Sequence, residues 1–154
     1  MPDDVTDPSP FIHVPDPANP GWMTWDLADQ CRFNALLGKM IVQRDGDIAR
    51  ARIFPERIHT NLLDGVHGGV TLAFADIALF VGAALLVQAD SAGGVTLDLS
   101  MQFIGAGKAG EPLDADVELL RETGRLVFLR GLIFQDHGKV AAFSGTLCKA
   151  TIRK

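Results

Sequence analysis

The stretch "NLLDGVHGGVTLAFAD", Asn61 to Asp76, concentrates residue types that do chemistry. Gly68 and Gly69 open an apolar run that reads as a helix, so their N–H groups have no intrahelical acceptor. The helix dipole places partial positive charge at that end. A residue without Cβ lets a ligand carbonyl approach the backbone closely, which is how an oxyanion hole is built. The bland alternative is that these glycines only permit a tight turn into the helix. Asp76 lies seven residues after Gly69, about two turns on and on roughly the same face. A lone carboxylate among Ala, Phe, Ile and Leu pays a desolvation cost, which is more often functional than accidental. The competing reading is a structural Asp satisfied by neighbouring backbone.

Geometry constrains a joint role. Gly68 and Asp76 are eight residues apart, hence ~12 Å along the helix axis. Both cannot touch one reacting carbon from within one chain. Two antiparallel helices at a dyad would bring one copy's Gly68 to the other's Asp76, so a catalytic reading requires a dimer.

The elements that position these residues follow from periodicity. Gly68 to about Gln88 reads as one long helix, apolar all round and therefore buried. Before it, Lys39–Arg44 and Ile48–Phe54 flank the turn "DGD" as two short strands. Pro55 to Val66 reads as loop and 89–94, "ADSAGG", as a turn. From Val95 the period changes to two. Leu97, Leu99, Met101 and Phe103 face one way, and Thr96, Asp98, Ser100 and Gln102 the other. Alternation resumes at Leu113, Ala115, Val117 and Leu119, and two further strands follow over Arg125–Gln135 and Lys139–Thr151. Short turns between them imply antiparallel hairpins. One twisted sheet curling around one helix is an α+β architecture.

Upstream, residues 1–24 form a proline-rich arm holding six of the eight prolines, and 25–154 a single domain. The arm is expected to be extended, without regular hydrogen-bonded structure, and to add little to the core. Trp25 to Leu37 reads as a short amphipathic helix capped by Gly38.

Composition bounds the rest. The 154 residues are 47% hydrophobic and 21% charged, with net charge −5. No basic stripe for nucleic acid is present. Cys31 and Cys148 read as free thiols of a reducing compartment, with no metal-ligand spacing. The acidic start does not read as a signal peptide. Val70–Val87 is long enough to cross a bilayer, but Asp76 at its centre would cost about 2.5–3.5 kcal/mol. No Lys/Arg cluster flanks it, and the amphipathic strands need something apolar to cover. A soluble, cytoplasmic chain without membrane partners is expected.

"NLLDGVHGGVTLAFAD", then "VTLDLSMQFIGAGKAG" and "ETGRLVFLRGLIFQDHGKVAAFSGT", resembles the hotdog-fold acyl-CoA thioesterases of the phenylacetate-degradation, PaaI-like type. The likeness spans Leu37 to Thr146. Its specific part is Asn six before His-Gly-Gly and Asp nine after that His. The resemblance implies an antiparallel sheet wrapped around one central helix, dimerising across a two-fold axis and assembling to a homotetramer. It implies hydrolysis of a small aromatic or medium-chain acyl-CoA. Asp76 would be general base or nucleophile, and the Gly68 N–H would polarise the thioester oxygen. His67 would fix the loop or add a hydrogen bond, Asn61 would orient substrate or water, and Thr96 would stand near the acid. Arg121, Arg125 and Lys108 are candidates for the coenzyme phosphates, or are simply solvated charges. Coenzyme A is then part of the substrate, and no cofactor or metal is called for.

Phe74, Phe80 and Phe103 could line an acyl pocket or belong to the core. His13, His59 and His137 read as arm, loop and turn tip. Two other functions compete: a hydratase or dehydratase on the same fold, and a non-catalytic acyl-binding module.

Overall fold

The computed structural model describes residues 9–87 and 94–151. In chain order the strands are β1 (Phe11–Ile12), β2 (Met23–Thr24), β3 (Asp26–Leu27), β4 (Met40–Asp45) and β5 (Ile48–Ile53). The helix α1 (Gly68–Leu86) follows, then β6 (Val95–Phe103), β7 (Leu113–Glu122), β8 (Leu126–Gln135) and β9 (Gly138–Cys148). Seven strands form one antiparallel sheet in the order β2-β4-β5-β7-β8-β9-β6. α1 crosses its inner face, and β6 lies at the edge opposite β2.

The helix is inside because it has no polar face to offer water. Phe74, Ala75, Ala78, Leu79 and Val81 are buried against Ala49, Ala51, Leu113, Val117, Leu129 and Phe143. Each large side chain fully buried there contributes about 1.5–3 kcal/mol. Glycine permits the closest approach. A Cβ at Gly145 of β9 would stand 2.4 Å from Leu79 Cδ1 and 2.8 Å from Asp98 O. α1 is thus the core helix of a sheet-wrapped layer, and its membrane-compatible length reflects burial in protein.

The outer face of the sheet carries charge that is paired in place. Arg50 grips Asp116 at 2.5 and 2.7 Å, and Arg52 grips Asp114 at 2.6 and 2.8 Å, both bidentate. Trp22 covers the Arg52 guanidinium at 4.6 Å.

Three local expectations are corrected. Residues 10–24 are hydrogen-bonded and docked, because prolines interrupt ladders without preventing short ones. Phe11–Ile12 pairs with Asp26–Leu27, and Met23–Thr24 pairs with Ile41–Val42. Residues 25–37 are a strand followed by a 3-10 turn, Phe33–Leu37, in place of one amphipathic helix; Gly38, at φ 71°, ends that turn. Within β6 a register shift between Thr96 and Asp98 reverses the alternation. One extra residue puts Thr96 on the same side as Leu99 and leaves Leu97 exposed. The turn expected at 89–94 lies, apart from Gly94, outside the described residues.

Candidate active site

The loop before α1 is built by its own polar groups. Asn61 Oδ1 accepts from Leu63 N at 2.9 Å and Gly65 N at 3.2 Å, and Asn61 N donates to Gly65 O. This Asx-type closure holds Asp64 at φ 59°. Val66 N then donates to Gly107 O, tying the loop to the segment before β7. His59 is buried under it. Its Nδ1 accepts from Glu56 N at 2.9 Å, so Nε2 carries the proton and donates to Leu36 O at 2.7 Å. The His59 carbonyl accepts from His67 N at 2.8 Å. His59 is therefore a brace for the helix start, a role its loop position in the sequence did not signal.

His67 is the N-cap of α1. Its Nδ1 accepts from Gly69 N at 2.8 Å, which leaves only Nε2 for a ligand. The Gly68 N–H has no hydrogen-bond partner among the described residues, and the Phe103 ring lies 3.4 Å from where a Gly68 Cβ would be. His67 and Asn61 face an open groove with Arg57, Thr60 and Asp64. The helix start thus presents one free backbone donor beside a capped, exposed histidine.

Two turns along α1, Thr96 Oγ1 donates to Asp76 Oδ1 at 2.7 Å. The β6 bulge makes this contact possible. Oδ2 has no partner among the described residues. Asp76 is half-buried and borders a cavity of about 170 Å³ lined by Phe11, Trp25, Asn34, Ile77, Phe80 and Gly94. Asn34 is half-buried and its amide has no partner among the described residues. Asp26, which lines a small pocket together with Asn34, has its carboxyl pushed up by burial, against the opposing pull of Lys39.

The candidate residues therefore fall into two groups in one chain. Asn61, His67 and Gly68 stand at the helix start, and Asp76 with Thr96 stands ~12 Å away along the axis. Of the candidate phosphate ligands, Arg121 and Arg125 are exposed near the β7–β8 turn. Lys108 is at the opposite end of β7, where Gly65 pairs with it and Gln135 brackets its backbone. β7 has 10 residues, so the two positions are separated by roughly 30 Å. The three do not form one cluster. Arg57, exposed in the groove beside His67, is a basic residue the sequence reading passed over; its place on the same loop was the available signal. Of the three phenylalanines, Phe74 is core, Phe80 lines the Asp76 cavity, and Phe103 covers Gly68. Phe11 was missed because it lies in the segment read as an outlying arm, and Trp25 and Asn34 because residues 25–37 were read as an amphipathic helix.

Comparison with known proteins places this geometry. A family model described as the thioesterase superfamily matches residues 64–142, just over half of the chain. No curated protein matches. Among solved structures, the PaaI protein of the E. coli phenylacetic acid degradation operon is similar at TM-score 0.66 and 21% identity, over 80% of this chain and 86% of that one. Zebra fish thioesterase superfamily member 2 is similar at TM-score 0.70 and 21% identity, over 80% and 90%. A hypothetical thioesterase from Streptococcus pneumoniae, solved with coenzyme A, is similar at TM-score 0.68 and 19% identity, over 79% and 93%. The shared architecture is the hotdog fold.

Proposed function

The chain belongs to the thioesterase superfamily, and on that premise we propose that it hydrolyses an acyl-CoA thioester with Asp76 and, from the partner copy, the Gly68 N–H. The observation that carries this reading is a carboxylate held at one oxygen by Thr96, with its other oxygen unpartnered among the described residues, beside a cavity walled by Phe11, Trp25, Ile77 and Phe80. Asp76 acts as general base for water, or attacks the thioester carbon itself, expelling the coenzyme thiolate and leaving a mixed anhydride that water then hydrolyses. In the first case the water proton passes to the carboxylate as the C–O bond forms. The C–S bond then breaks, and the coenzyme thiolate takes up the proton held by Asp76, whose side chain returns to the carboxylate form. Negative charge developing on the carbonyl oxygen needs a fixed donor, which a helix N-terminal N–H supplies. Coenzyme A bound to the S. pneumoniae neighbour supports a coenzyme A thioester as substrate. The chemistry asks for no resident cofactor. His67, capping the helix, positions the donor, and Asn61 holds the loop that carries it.

The proposed dimer forms through β6. This edge strand and the residue after it expose Val95, Leu97, Phe103 and Ile104, each more than half accessible. A long apolar edge invites pairing with another copy. Two β6 strands meeting antiparallel at a dyad would set the two α1 helices antiparallel, and each Gly68 toward the other Asp76. Pairing of such dimers into a homotetramer and residence in the cytoplasm, where exposed Cys31 stays reduced, belong to the same reading.

Free-thiol release from a panel of acyl-CoAs is the test. Asp76→Asn should fold and lose at least ~10²-fold in turnover; near-wild-type turnover would sink the carboxylate's role. Co-assembly of Asp76→Asn with a chain carrying a bulky residue at Gly68 should restore about a quarter of wild-type activity, because each mixed dimer keeps one intact site.

A further inference from the structure

We infer that the N-terminal segment from Pro10 to Ala28 is a strap that walls the Asp76 cavity and sets the largest acyl group the site accepts. This rests on the thioesterase reading of Asp76 and extends it to residues outside the stretch matched by the family model.

The strap doubles back on itself and is fastened at several points. Thr24 N donates to Val14 O at 2.7 Å, Thr24 Oγ1 bridges Ile12 O and Val14 N, and Ala28 N donates to Pro10 O. Trp25 N donates to Met40 O at 3.0 Å, holding the strap to the start of β4. Asp16, buried, pairs with Lys39 at 2.7 Å. These bonds present an aromatic wall. The Phe11 and Trp25 rings lie 5.6 Å apart, and the His13 ring meets Trp25 edge-on at 5.8 Å.

Phe11 and Trp25 form the side of the cavity contributed by the strap, and Ile77 and Phe80 the side contributed by α1. The cavity is half open to solvent, and its accessible volume of about 170 Å³ is close to the ~150 Å³ of an enclosed engineered cavity that admits one benzene ring, so the part sheltered by the strap holds about that much. An acyl group whose carbonyl sits at Asp76 therefore finds room for about one ring, or roughly six carbons of chain. A longer chain meets the two strap rings, which have to move for it to enter. The strap thus selects by excluding size, and the energy of discrimination is the cost of displacing packed aromatic surface.

The test uses the full chain and straight-chain acyl-CoAs from butanoyl to hexadecanoyl. Wild type should favour hexanoyl-CoA over dodecanoyl-CoA in kcat/KM. Trp25→Ala should shift that ratio toward dodecanoyl-CoA by at least ~10-fold, and Phe11→Ala in the same direction by less. A wild type indifferent to length, or a ratio unmoved in folded Trp25→Ala and Phe11→Ala, overturns the inference. A second readout needs no turnover. In Trp22→Phe, Asp76→Asn protein Trp25 is the remaining tryptophan. Hexanoyl-CoA should change its emission and shield it from iodide, and coenzyme A alone should not. No response of Trp25 to any acyl-CoA overturns the strap's place at the site. A Trp25 response in that protein, with no thiol release by the wild type from any substrate, leaves the strap standing and overturns hydrolysis.

Discussion

Replacing Thr96 with valine removes the O–H that donates to Asp76 Oδ1 at 2.7 Å and puts a methyl group in its place. A hydrogen bond to an ionised group contributes ~1.5–3 kcal/mol, and each ~1.4 kcal/mol is tenfold in rate. Both side chains are half-buried, so water can partly replace the lost donor, and the lower end of the range applies. The expected loss is therefore ~10-fold in kcat. KM should change little, because Thr96 does not line the cavity and removing it takes away orientation of the carboxylate more than substrate contact. Thr96→Ser keeps the hydroxyl and should recover most of the rate. Steady-state thiol release on the two variants and on wild type reads all three numbers. Full turnover in Thr96→Val, or a serine variant as slow as the valine one, would refute the idea that this hydroxyl aims the carboxylate.

Two other perturbations probe the scaffold. Gly145→Ala should destabilise the fold by about 1–3 kcal/mol in urea unfolding, the usual cost of overpacking, since its Cβ would enter the space of Leu79 Cδ1 at 2.4 Å and Asp98 O at 2.8 Å; an unchanged midpoint would mean the helix seats less tightly on β9. The Lys39 ammonium, then the Asn19 amide, hold the Asp16 carboxyl below its usual range. Its contribution to the strap is present above the ordinary carboxylate pKa and is lost as pH falls through the lowered one. Asp16→Asn should flatten the acid limb of Trp25 emission measured in a Trp22→Phe background, and an unaltered limb would remove Asp16 as the clasp.

How much of this was legible in the chain depended on where the decisive partners sit. α1 and the hairpins of β4–β5 and β7–β9 were readable because apolar period, turn residues and burial all agree locally. The bulge in β6 was not. "TLDLSMQF" alternates cleanly on paper, and only pairing with β9 shows where the extra residue falls. The strap failed for the same reason. Its prolines forbid a long ladder, yet its anchors are Met40, Ile41, Val42 and Lys39, all distant in sequence. At the site, Asp76 and Gly68 stood out by type and spacing, whereas His59, Asn34 and Trp25 acquire meaning only from what the fold places beside them.

The same contrast bears on why, on the proposed mechanism, one chain alone would be an incomplete catalyst. The helix that buries the core also separates its two chemically useful ends: a free N–H at Gly68 and a carboxylate at Asp76, ~12 Å on. Moving either along α1 would spoil what makes it useful, since the donor is free only in the first turn. Among the described residues the carboxylate is unpartnered at Oδ2, at the point where β6 supplies Thr96 and the strap leaves a cavity. A second antiparallel helix would resolve this without altering either end, and in the proposed dimer the exposed β6 edge would bring it. The apolar side chains at that edge, a liability in a lone chain, are then the same feature that would complete the site.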